Sequence, residues 1–95
     1  MPQAYVLGQI TVKDEVAWAE YRRQVPGTLA PWGAELVLRG QQVQALAGAC
    51  PHADVVLIRF ADVAAARSWH ASEAYQALIP LRTRAADLTL LIYEA

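Results

Sequence analysis

Trp69-His70-Ala71-Ser72-Glu73-Ala74-Tyr75, followed by Arg82, is where a chain otherwise rich in alanine, leucine and valine gathers its unusual side chains. An indole, a hydroxyl, a phenol and a guanidinium lie within a few helical turns of one another. Upstream, Asp62 is a good N-cap for a helix running through Ala64, Ala65 and Ala66 to Trp69, and Ser72 is placed to cap a second helical piece. Pro80 removes a backbone donor inside that piece, so a kink or restart is expected near Ile79. Two strand-like runs flank the stretch, β-branched Val55 to Phe60 before it and Leu88 to Tyr93 after it.

The first half has the same alternation. Ala4 to Val12 reads as a strand, with Val6, Ile10 and Val12 at one parity and Tyr5, Leu7 and Thr11 at the other. Asp14 caps a helix whose apolar face is Trp18, Tyr21 and Val25, and Pro26-Gly27 is expected to interrupt it. Gly33 supplies the flexible residue that ends a helix before a strand. Ala34 to Arg39 is the second strand, Val43 to Ala47 reads as its continuation past Gly40, and Gly48 to His52 reads as a loop. The order strand, helix, strand, strand, helix, strand is the split βαβ arrangement of an α+β, ferredoxin-like domain. Such a sheet carries helices on one face only, yet Val55 to Ile58 and Leu90 to Ile92 are apolar at both parities. The simplest cover for the second face is the same sheet of another copy, so a homodimer is expected.

Composition agrees. The 95 residues make a single domain, 1–95, and 56% of them are hydrophobic while 18% are charged, against about 45–50% and about 25% in typical soluble domains. The surplus calls for a buried interface with another chain. No apolar run reaches the roughly 18 residues of a membrane helix, and Met1-Pro2-Gln3-Ala4 lacks a signal-peptide pattern, so no membrane association is expected. Eight basic and nine acidic residues, dispersed to a net charge of −1, offer no phosphate footprint, so no nucleic-acid partner is expected. The single Cys50 cannot form an intrachain disulfide, consistent with a cytoplasmic location.

Gly33, Arg39-Gly40, the strand ending in Phe60, and above all the run Trp69, Ser72, Glu73-Ala74-Tyr75-Gln76 and Arg82 resemble the family catalogued as domain of unknown function 1330. The resemblance covers Tyr5 to Tyr93, although Gly40-Gln41 stands where the family usually doubles its glycine. It implies membership of the dimeric α+β barrel superfamily, in which ferredoxin-like subunits pair through their sheets. The superfamily includes cofactor-free monooxygenases, lactone isomerases, haem-degrading enzymes and haem-dependent dismutases, which use a cleft between sheet and helices; for function this is analogy at the level of fold.

The residues themselves frame two readings. In the first, Arg39 and Arg82 bind the carboxylate of a small organic acid or aromatic metabolite, Tyr75 and Ser72 orient it, and Trp69 lines the cleft, with cofactor-free chemistry as an extension. In the second, the chain is a non-catalytic dimerisation or interaction module: Arg82 pairs with Asp87 or a helix terminus, Ser72 is only a cap, and Tyr75 and Trp69 are packing. Of the two histidines His70 is the better general-base candidate, but the sequence names no partner to fix its tautomer, and a solvent-facing His70 is the expectation. Cys50-Pro51-His52 holds two potential ligands, but one Cys and two His fall short of a structural zinc set, and no cofactor or metal is expected. No Ser-His-Asp order or glycine-rich phosphate loop is present, which disfavours the familiar hydrolase and nucleotide-binding classes.

Overall fold

Strand β1 (Ala4–Val12) sits inside the sheet because its small and branched residues alternate cleanly: Ala4, Val6, Gly8 and Ile10 are buried, and the residues between them are only half-buried. The computed structural model describes residues 2–95. After β1 come α1 (Glu15–Leu29), a 3₁₀ turn (Ala30–Trp32), β2 (Glu35–Gln41), β3 (Asp54–Phe60), α2 (Val63–Ala71), α3 (Glu73–Gln76), α4 (Ile79–Ala85) and β4 (Ala86–Glu94). The strands form one antiparallel sheet in the order β2-β3-β1-β4, the ferredoxin-like arrangement.

Caps place the helices where the side chains predict. Asp14 accepts from the Ala17 amide at 3.0 Å, Asp62 from Ala65 at 2.7 Å and Ser72 from Tyr75 at 3.3 Å. Gly33 adopts φ 62°, and its amide bonds to the Ala30 carbonyl. Pro80 falls in the first turn of α4, where its missing donor costs no helical bond, and the chain restarts at Ile79 as expected.

Apart from shifts of one or two residues at the ends of β2 and β3, the departures from the sequence reading are these. Helix α1 runs straight through Pro26-Gly27 to Leu29. Both residues are on its exposed side, where water can take the carbonyl that proline leaves unpaired, while Val25, Thr28 and Leu29 hold the last turn to the core. Val43 to Ala47 is loop instead of strand: pairing ends at Gln41 with Asp54, and beyond it Val43 is 98% exposed, with no strand beside it to supply hydrogen bonds. Strand β4 starts two residues early, because Ala86 and Asp87 still pair with Val12 and Thr11.

Register divides the sheet into two faces. Ala4, Val6 and Ile10 of β1 with Ile58 and Phe60 of β3 face the helices and meet Trp18, Tyr21, Val25, Leu29, Trp69 and Tyr75 in one core. Gly8 belongs to this face, and a methyl group there would come within 2.7 Å of a Val56 methyl carbon, so only glycine lets Val56 and Leu90 close over it. On the opposite face Tyr5, Leu7, Leu38, Val55, Leu57, Leu91 and Tyr93 form an apolar field, with the Arg59–Glu35 ion pair at one corner. Among the described residues no helix covers it, and Leu38, Leu91 and Tyr93 are 47%, 39% and 50% exposed.

Candidate functional site

A cavity of about 260 Å³ opens between α1 and the helix-facing side of the sheet. Its walls are apolar and aromatic, with Trp18, Tyr21 and Val25 from α1, Ile58 from β3, Leu90 from β4 and Trp69 from α2; Arg22 and Arg39 supply its charge. Arg22 follows from helical periodicity, one turn beyond Trp18. Arg39 follows from an irregularity. Strict alternation along β2 would put Leu36 and Arg39 on opposite faces, but the bulge at Val37 leaves Leu36 opposite Ile58 and Arg39 opposite Val56, both on the helix side.

Among the described residues neither arginine has a carboxylate within 4 Å or a side-chain hydrogen bond. Partial burial and the nearby Arg22 guanidinium hold Arg39 below the usual arginine range, with Tyr21 acting slightly the other way. Two like charges thus border one cavity with no carboxylate within 4 Å of either among the described residues.

Behind the cavity the aromatic groups are tied together. The Tyr21 and Tyr75 hydroxyls lie 2.8 Å apart, and Arg82 Nη1 donates to the Tyr75 hydroxyl at 2.8 Å. Trp69 Nε1 donates to Thr28 Oγ1 at 3.0 Å, and that hydroxyl donates to the Val25 carbonyl at 2.7 Å. Trp69 also packs on Tyr75 and Phe60, at ring-centroid distances of 4.3 and 5.4 Å. Burial first, then Tyr75, pushes the Tyr21 phenol far above the usual tyrosine range, so it stays protonated. The exposed His70 imidazole is held below the usual histidine range by partial desolvation and then by Arg82.

Of the five residues singled out in sequence, the structure brings Arg39 and Trp69 onto the cavity. Ser72, Tyr75 and Arg82 lie behind it. Ser72 caps α3 and donates to the Trp69 carbonyl at 2.6 Å, Tyr75 is wholly buried, and Arg82 reaches Tyr75 although the helix is broken between them at residues 77–78. The alternative pairing of Arg82 with Asp87 is not formed, since Asp87 pairs with Lys13 at 3.3 Å. Sequence reasoning missed Arg22, which its i+4 spacing from Trp18 could have flagged, and it had no signal for the bulge that aims Arg39 inward. Cys50 Sγ makes a long contact to the His52 carbonyl, and His52 Nδ1 meets Thr11 Oγ1 at 2.9 Å. No three potential metal ligands gather among the described residues.

With this geometry established, residues 3–95 match the family described as a domain of unknown function, DUF1330. The chain belongs to the DUF1330 family. No curated protein matches it in sequence. Among solved structures, this DUF1330 chain is similar to a protein of unknown function from Rhodopseudomonas palustris, with 19% identity, TM-score 0.83, and coverage of 98% of this chain and 82% of the other. A dimeric ferredoxin-like protein of unknown function from Jannaschia sp. CCS1 shares 14% identity at TM-score 0.74, covering 98% and 99%. SnoaB, a cofactor-independent oxygenase from Streptomyces nogalater, shares 10% identity at TM-score 0.73, covering 100% and 94%. At these identities the likeness establishes the fold, and its members include dimeric ferredoxin-like proteins.

Proposed function

We propose that this DUF1330 protein is a homodimer that binds a small organic acid with an aromatic or branched apolar body in the cavity beneath α1. Arg22 and Arg39 take the carboxylate, Trp18, Tyr21 and Trp69 enclose the body, and the chain from Arg82 through Tyr75 to Tyr21, with Ser72 holding the turn between α2 and α3, keeps the aromatic wall in place. The observation that carries the reading is the pair of arginines, without carboxylate partners, on an otherwise apolar cavity. A structural network would leave such cations paired or far apart; two close together raise the energy of the empty protein and lower that of the complex.

Pairing of the sheets gives the apolar field of Tyr5, Leu7, Leu57 and Leu91 a place out of water, stabilising the dimer by roughly 25 cal/mol per Å² of apolar area covered. The dimeric Jannaschia protein is a precedent on this fold. The reading keeps a cytoplasmic location.

The test is a thermal-shift titration of wild type and Arg39→Gln with 3-phenylpropanoate and 2-naphthoate, with light scattering for the mass. A ligand at about 100 times its dissociation constant adds roughly 2.7 kcal/mol of stability. The expected result is a dimer with a shift in wild type that shrinks in Arg39→Gln; equal shifts in both proteins, or none in either, would reject the site. Turnover of the bound acid, the cofactor-independent reading for which SnoaB is a precedent on this fold, is checked by oxygen uptake and product mass in the same samples.

A further inference from the structure

The apolar cavity continues past its arginines. A second chamber of about 230 Å³ adjoins it, sharing Ile10, Trp18, Arg22 and Arg39 and reaching Gln41 and Asp54. Asp54 is the first residue of β3 and pairs with Ile10 and Gln41, which places it on the helix-facing side of the sheet. Arg39 pairs with Val56, two residues further along β3, so Arg39 and Asp54 are diagonal neighbours on one face. A diagonal position is within the reach of an arginine side chain. Yet among the described residues no ion pair or side-chain hydrogen bond joins Asp54 to either arginine. A carboxylate and two guanidinium groups therefore border one space without neutralising each other.

We propose that Asp54 is a further specificity-determining residue, and that the ligand is an acid carrying a hydrogen-bond donor, hydroxyl or ammonium, on the carbon beside its carboxylate. This rests on the reading that the cavity takes an organic acid through Arg22 and Arg39. The ligand's carboxylate sits at the junction of the chambers on the two arginines, its apolar body enters the first chamber, and its donor points into the second and is accepted by Asp54. A plain acid satisfies the arginines but leaves Asp54 facing the carboxylate with nothing between them, a like-charge contact that the donor relieves. A 2-hydroxy acid or an amino acid has the matching charge pattern: anion, donor and apolar body branching from one carbon.

Calorimetric titration of the full chain with 3-phenylpropanoate, 3-phenyllactate and phenylalanine separates these claims. In wild type at least one donor-bearing acid is expected to bind about tenfold or more tighter than 3-phenylpropanoate, the advantage of one hydrogen bond to a charged group. In Asp54→Ala that ratio is expected to fall below about threefold, with 3-phenylpropanoate bound no more weakly than before. Asp54→Asn, which keeps the shape and removes the charge, is expected to lose the preference for phenylalanine. Among the described residues Asp54 makes no side-chain hydrogen bond or ion pair, so circular dichroism and melting of both variants are expected to match wild type. If 3-phenylpropanoate binds through Arg39 but a neighbouring donor adds nothing, or if the advantage survives in Asp54→Ala, the role of Asp54 is overturned while the anion site stands. If none of the three acids binds wild type, or if those that bind do so as well to Arg39→Gln, the anion site itself fails and the role of Asp54 with it.

Discussion

Replacing Tyr75 by phenylalanine removes one oxygen from the centre of the fold, and the structure sets the cost. Tyr75 is wholly buried, and its hydroxyl bonds both Tyr21, on α1, and Arg82, on α4. The bond from Arg82 involves a charge but ends in a half-buried guanidinium, so it belongs near the lower end of the roughly 1.5–3 kcal/mol range; the bond to Tyr21 is neutral and contributes about 1 kcal/mol. The Tyr21 hydroxyl, on a residue only 7% exposed, then loses the one hydrogen-bond partner it has among the described residues. Together these losses come to about 2–4 kcal/mol. At about 4–8 °C per kcal/mol for a domain of 60–100 residues, Tyr75→Phe should melt roughly 8–32 °C below wild type. Tyr21→Phe leaves the Arg82–Tyr75 bond intact and should cost only about 1 kcal/mol. Urea unfolding of wild type, both single variants and the double variant, at one protein concentration, measures the coupling directly. A loss under about 0.5 kcal/mol in Tyr75→Phe would refute the reasoning and show that the bonds to Tyr21 and Arg82 add almost nothing net to stability.

The other expectations are simpler. Leu57→Asp or Leu91→Asp, in the middle of the uncovered face, should give a monomer by light scattering while the helix-side core stays folded; an unchanged dimer mass would place the interface elsewhere. Gly8→Ala forces a methyl to 2.7 Å from Val56, so it should cost about 1–3 kcal/mol in urea unfolding and narrow the cavity that Val56 and Leu90 border. The His70 imidazole is held below its ordinary value of 6.5, so the unfolded chain binds a proton before the folded one does. The stability this contributes is complete above pH 6.5 and is lost as the pH falls through the lower folded value. Wild type should therefore lose more melting temperature than His70→Gln between pH 7 and pH 5, and parallel curves would remove the effect.

Much of the fold was legible because local chemistry and global arrangement agree in this chain. Asp14, Asp62 and Ser72 are short acceptors placed just before apolar helical faces, and Gly33 and Pro80 stand where a left-handed turn and a first helical turn need them. The misread boundaries lie where partners at a distance decide. Nothing local shows that the carbonyl freed by Pro26 faces water, or that residues 43–47 lack a neighbouring strand.

The candidate site was half legible. The run from Trp69 to Arg82 stood out by composition, and the structure gathers it into a hydrogen-bonded seam, with Trp69 on the cavity and Arg82 turned to Tyr75. Arg22 passed unnoticed, as one arginine among seven.

Taken alone, the sequence determined the order of elements, the helix starts and the excess of apolar residues, because caps, turns and period-2 or period-3.6 alternation act between residues a few positions apart. Only the tertiary structure decided which charges meet. Arg39 faces the cavity through a bulge whose existence depends on pairing with β3, and Asp54 and Arg22 reach the same space from a different strand and a helix. Those distances are set by register and packing across the fold, which no local pattern encodes.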